Sequence, residues 1–226
     1  MPDDLRAQLS RLVRQLLEEH DPTGQPIAPV LRAHLGERAR ELPVLTEALE
    51  DWELPNLQIG LDTALARTGW SASVLGLTGR AKRYEQFSLS DLMTDEAWLP
   101  NVGPPELVNA PVGPSRTMPC LEFAVLLVTS PDGPLAVFVR RGVDHGPMMP
   151  ARLAVQAVAP GEGVAEAFLA DLRELMIEHD VYRGHVLTVK ADPHGGGREL
   201  IFLERPQLAA EDRSCRTDSS TASSGT

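Results

Sequence analysis

Leu5, Leu9, Leu12, Val13, Leu16 and Leu17 recur at helical spacing between polar neighbours, which predicts an amphipathic helix over Asp3 to His20. Asp3 and Asp4 stand at its start, where the helix dipole favours carboxylates. Asp21-Pro22-Thr23-Gly24 stops it. The pattern then predicts a second helix over Ile27 to Leu35, ending at Gly36, and a third from Pro43 through Leu49 to Trp52. A fourth follows Pro55 on Leu57, Ile59, Leu61 and Leu65 and stops near Gly69; the last two are also readable as one kinked element. Ser71 to Leu77 reads as a short strand, Gly79 to Arg83 as a basic turn and Ser88 to Met93 as a short helix.

The pattern changes at Pro100. Five prolines up to Pro114 argue against regular structure and predict a long surface connection. Beyond it, Leu121 to Thr129 has strand composition, Ser130-Pro131-Asp132-Gly133 is a turn, and Leu135 to Arg141 is the return strand of a hairpin. Ala151 to Ala159 alternates, with Leu153, Val155 and Ala157 on one face and Val158 leaving the pattern. Gly163 to Asp180 carries the clearest helical stripe, Val164, Phe168, Leu172, Leu175 and Met176, with Glu166, Asp171, Glu174 and Glu178 facing away. Val186 to Val189 and Glu199 to Leu203 are strands joined by Asp192 to Gly197. Segregated helices and strands predict an α+β fold: N-terminal helices, then a mostly antiparallel sheet covered by one long helix. The expected organisation is a mainly helical subdomain over 1–99, a Pro/Gly-rich connection over 100–115, an α+β subdomain over 116–207 and a disordered tail over 208–226.

Composition adds limits. The 226 residues are 42% hydrophobic but only 4% aromatic, so the core must be built from Leu, Val, Ala and Met. A formal net charge of -11 disfavours nucleic acid and anionic membranes as partners. Two cysteines, Cys120 and Cys215, suit a reducing compartment better than a disulfide framework. The acidic N-terminus is unlike a secretory signal and no apolar run approaches the roughly 20 residues of a membrane span, so a cytoplasmic location is expected.

Candidate chemistry is sparse. Gly195-Gly196-Gly197 after His194 lacks the Gly-Lys-Ser/Thr of a phosphate loop and reads as a hairpin loop. The histidines His20, His34, His145, His179, His185 and His194 include no pair at the i, i+4 metal spacing, and His20 and His179 suit helix ends. Cys120 with a distant histidine would be a thiol-hydrolase pair, yet its place at a strand start reads as a buried structural thiol. Asp144-His145 lies in a Gly/Pro-rich loop, where functional groups concentrate, and specifies no reaction alone. Glu122 and Glu199 read as solvated strand carboxylates. Arg80, Lys82 and Arg83 beside Tyr84 and Phe87 suit internal ion pairs more than the broad basic face nucleic acid needs. No catalytic, cofactor-binding or metal-ligating residue is assigned.

One resemblance emerges. Val181 to Gln207, with Phe202-Leu203-Glu204-Arg205-Pro206 near its end, and Leu54-Pro55-Asn56-Leu57-Gln58 resemble the N-terminal domain of a bacterial, actinobacterial-type AAA+ ATPase over most of residues 50 to 212. In that family the Phe-Leu-Glu-Arg-Pro phrase leads into an acidic linker and the ATPase module. The resemblance implies a domain that docks substrate proteins or adaptors, with ATP, Mg²⁺ and hexamer formation belonging to a module this chain lacks; no cofactor is expected here. The Ser/Thr-rich stretch from Asp212 to Thr226 reads as a disordered end or as a frameshift. With GC-rich codons, one permitted reading from the third base of codon 213 gives Val-Leu-Pro-Asp-Gly-Leu-Leu-Asp-Arg-Leu-Glu-Arg-His, a sequence suited to the linker. The alternatives are a stand-alone interaction protein and a small hydrolase using Cys120 or His145.

Overall fold

The structure, a computed structural model, describes residues 24–78, 87–94, 99–142, 153–191 and 198–203. The helix expected over Asp3 to His20, the basic turn at Gly79 to Arg83, the Asp144-His145 loop, the triple glycine, and the tail with Cys215 lie outside them. The fold is α+β. Nine strands run in chain order: β1 (Leu45–Leu49), β2 (Ser71–Thr78), β3 (Asn101–Gly103), β4 (Glu106–Gly113), β5 (Arg116–Ser130), β6 (Gly133–Arg141), β7 (Leu153–Val158), β8 (Val186–Ala191) and β9 (Arg198–Leu203). The helices are α1 (Ile27–Leu35), α2 (Leu54–Leu65), α3 (Leu89–Leu92) and α4 (Val164–Glu178).

Seven strands form one sheet in the order β1-β7-β6-β5-β2-β3, with β4 also paired to β5, and every pairing is antiparallel. β8 and β9 form a separate hairpin. The large sheet is covered on both faces. On one, Leu126, Val128, Val137, Val139 and Val155 meet α2 and α4 through Leu57, Leu61, Phe168 and Leu172. On the other, Val125, Phe138 and Val158 meet Ile27 and Leu31 of α1 and Leu89 and Leu92 of α3. This explains why β7 is buried at every position: Leu153, Val155 and Ala157 face one layer, while Val158 faces the other. The long helix expected over the sheet is α4, and α1 and α2 join it as further cover.

Two expectations are corrected. Pro43 to Trp52 was expected to be helical, and its Leu45–Leu49 portion is β1, the edge strand beside β7. Leu45 and Leu49 have a helical spacing, but pairing with β7 and packing of both leucines on the core override it. The Pro100 to Pro114 connection contains β3 and β4. Proline is tolerated there because β4 pairs on one side only among the described residues, with a register shift between Pro111 and Gly113. Pro104-Pro105 carries the chain over β2 at Gly76, where an added Cβ would lie 1.8 Å from the Pro104 carbonyl oxygen. Strands from before and after this segment share one sheet: β1 pairs β7, and β2 pairs β5.

Candidate functional site

The hairpin is tied to the body by a polar junction at the start of α2. A capping box, Glu50 with Glu53, starts the turn that leads into this helix. One turn later Asn56 is buried and bonded at both polar side-chain atoms: its Nδ2 donates to Asp180 Oδ1 at 2.9 Å, and its Oδ1 accepts from the Val181 amide at 2.9 Å. Asp180 also accepts from the Tyr182 amide at 3.0 Å. The Tyr182 hydroxyl donates to the Trp52 carbonyl, and burial pushes its pKa upward. The Tyr182 ring stacks on Phe202 of β9, with His185 edge-on to the same ring. Arg141 anchors the neighbouring turn, donating to both Asp51 carboxylate oxygens at 2.6 and 2.7 Å and to Glu122 at 3.2 Å. Glu122, expected on a solvated face, is thus part of an ion network.

Beyond this junction the hairpin carries exposed apolar side chains on both faces, among polar ones such as Thr188 and Lys190. Val186 stands directly opposite Leu203, and both are 42% exposed. Val189, three residues along and therefore on the other face, is 57% exposed. β4, carrying Leu107 at 50%, lies against β9. Ile177 at 61% adjoins the chain entering β8, because Arg183 donates to its carbonyl at 2.7 Å. These five are the large apolar side chains most exposed among the described residues. A two-stranded hairpin is marginal by itself, so the Asn56 junction and the Phe202 contacts hold this apolar surface in place.

A second cluster lies on the α2 side of the sheet. Gln58 is buried; its Oε1 accepts from the Leu121 amide at 2.7 Å and its Nε2 donates to Asp62 Oδ1 at 2.8 Å. Burial lifts the Asp62 carboxyl to about 6, against the lowering effect of the Gln58 bond. Cys120 is fully buried on β5, and burial, reinforced by the Asp62 charge, pushes its thiol up to about 12. That is the reverse of an activated nucleophile, which needs a depressed pKa. The groups acting on the thiol include Asp62 and Arg141 and no imidazole among the described residues.

The three described histidines lie apart from one another and from Cys120 in their contacts. His34 of α1 points Nε2 at the Val128 and Leu135 carbonyls, 2.9 and 3.1 Å away, so this nitrogen carries the proton and pins α1 to the β5–β6 ladder. His179 caps the end of α4 and His185 packs on Phe202. Glu199 stands opposite Lys190 in the hairpin ladder. Phe87 is core, and its carbonyl accepts from Arg140 at 3.0 Å. In the sequence Asn56 and Gln58 stand out only within the Leu54-Pro55-Asn56-Leu57-Gln58 phrase of the resemblance, with no role of their own, and Asp62 not at all. The signal available was polar residues at spacings that place them among the apolar stripe of α2. Among the described residues, no helix is long and apolar enough to cross a membrane. Comparisons with protein-family models, with curated proteins and with solved structures return no match.

Proposed function

We propose that this chain is a protein-docking domain of the kind that precedes an AAA+ ATPase module, with the β8–β9 hairpin and its neighbours as the docking surface. One observation carries the reading: among the described residues the large exposed apolar side chains lie on the hairpin and on elements that adjoin it, β4 against β9 and the end of α4 beside the chain entering β8. Clustered apolar exposure marks interaction surfaces, whereas single exposed residues need no explanation. The thiol of Cys120, buried and held protonated, argues against hydrolysis through that residue. The AAA+ part of the reading rests on the sequence resemblance, and the two segments that carry it are joined through Asn56 and the turn at Asp180-Val181.

In this reading the partners are substrate or adaptor proteins in the cytoplasm. The chain itself hydrolyses no ATP and takes no cofactor; ATP and Mg²⁺ belong to the following module, as does any hexamer. A stand-alone interaction protein would use the same surface, and the gene separates the two. Sequencing the locus from codon 205 through several hundred bases past codon 226 tests the assignment. A Gly-x-x-x-x-Gly-Lys-Ser/Thr loop in a shifted frame is the expected result. Its absence from every frame removes the AAA+ reading and leaves the interaction protein.

A further inference from the structure

We propose that the turn after α4 and the β8–β9 hairpin, Asp180 to Leu203, form an arm that opens as one cooperative unit while the main sheet stays folded, with Asn56 as its latch. The boundary lies at the end of α4. Upstream of it, Leu172, Leu175 and Met176 are buried in the main core. Downstream, the turn makes its own backbone bonds, from the Arg183 amide to Asp180 at 3.3 Å and from the His185 amide to Tyr182 at 3.1 Å, and Gly184 takes a φ of 79 degrees. β8 and β9 then pair with each other and, among the described residues, with no strand of the seven-stranded sheet. Burial falls at the same place. β7 is buried at every position, whereas among the described side chains of β8 and β9 Phe202 alone is buried. A segment with so few buried apolar contacts opens before the rest of a fold does.

The ring contacts of Phe202 are internal to the arm. Its partners are Tyr182, with centroids 5.5 Å apart, and His185, at 5.1 Å. Bonds from the arm to the body gather where α2 begins: Asn56 holds Asp180 and the Val181 amide, and the Tyr182 hydroxyl donates to the Trp52 carbonyl. Arg183 adds a bond to the Ile177 carbonyl beside the boundary itself. β9 also lies against β4 and the Asp51–Glu53 turn, without strand pairing to either. Asn56 is buried, so water does not readily replace its two bonds when they are lost. A two-stranded hairpin is marginal alone, so release of the latch and melting of the strands are one event. The arm is a claim separate from the docking reading. Only its consequence rests on that reading: melting dismantles the docking surface, and Asn56 then sets how often the surface is present.

Native-state hydrogen exchange of the full chain in low urea tests the arm. In the wild type, the Val181 amide and the slowest amides of residues 186–190 and 200–203 should share one opening free energy and one urea slope, both smaller than those of β5, β6 and β7. N56A should speed exchange at these amides by about tenfold or more and leave β5, β6 and β7 unchanged. Y182F keeps the ring on Phe202 and drops the bond to Trp52; it should speed the same set. Arm amides that open with the same free energy and slope as the main sheet overturn the proposal on the wild type alone, whether or not the variants fold. Opening free energies that differ from amide to amide along the arm also overturn it, since the hairpin then frays instead of opening as a unit. So does an N56A acceleration spread evenly over the chain. If the arm opens as stated but its surface captures no protein, the arm stands and the docking reading fails.

Discussion

Replacing Asp62 with asparagine should stabilise the protein at neutral pH. Asp62 lies in the last turn of α2, where the helix dipole disfavours a negative charge. Gln58 Nε2 is the side-chain donor that serves it. Burial lifts its carboxyl from the ordinary 3.8 to about 6. The folded state therefore holds this proton to a higher pH than the unfolded chain does. Between about pH 4 and pH 6 the native state binds more protons, so the contribution of Asp62 to stability falls as pH rises through that window and stays low above it. The interval corresponds to about 3 kcal/mol, and partial exposure of the carboxyl trims this to about 2 kcal/mol. Asp62→Asn keeps the acceptor for Gln58 and never ionises. Urea unfolding followed by tryptophan fluorescence should show the variant more stable than the wild type by about 2 kcal/mol at pH 7.5, with the gap shrinking steadily toward pH 4. A variant less stable at pH 7.5, or a gap independent of pH, would refute the reasoning.

Asn56→Ala leaves the Val181 amide without its partner and takes one donor from Asp180, which keeps the Tyr182 amide, a loss of about 1–3 kcal/mol; exchange should accelerate across residues 181–203 more than in β5 and β6. Gly76→Ala forces a Cβ into the Pro104 carbonyl, and no side chain can yield to relieve it; thermal melting should reveal a loss of about 3 kcal/mol or more, or no folded protein. In a Cys215→Ser background, Cys120 should react with Ellman's reagent only as fast as the protein unfolds, because it is buried and its thiol is held protonated. Rapid stoichiometric labelling of the native protein would contradict that placement.

Much of the scaffold was legible in the chain. The stripe Phe168, Leu172, Leu175 and Met176 became the buried face of α4 because a 3.6-residue period has one geometric solution over fifteen residues. Pro131-Asp132-Gly133 announced the β5–β6 hairpin because the glycine there takes a φ of 120 degrees. β1 was misread because Leu45 and Leu49 satisfy a helical spacing equally well in so short a segment, and only β7 decides between them. β3 and β4 were misread because proline content excludes a central strand but permits an edge. The candidate surface was half legible. Val186, Val189 and Leu203 could be assigned to strands, but their exposure depends on β8 and β9 pairing with each other instead of joining the main sheet. The polar junction was not legible, since Asn56 meets Asp180 across 124 residues.

The claim that the hairpin is a docking surface is tested most directly by photo-crosslinking in cells. A photoreactive amino acid is placed at Val186, directly opposite Leu203, and, as a control, at Glu174 on the exposed side of α4. The account predicts a discrete protein adduct from position 186, absent from position 174 and lost when Leu203→Glu is added. Adducts of equal yield from both positions, or none from position 186, would contradict it.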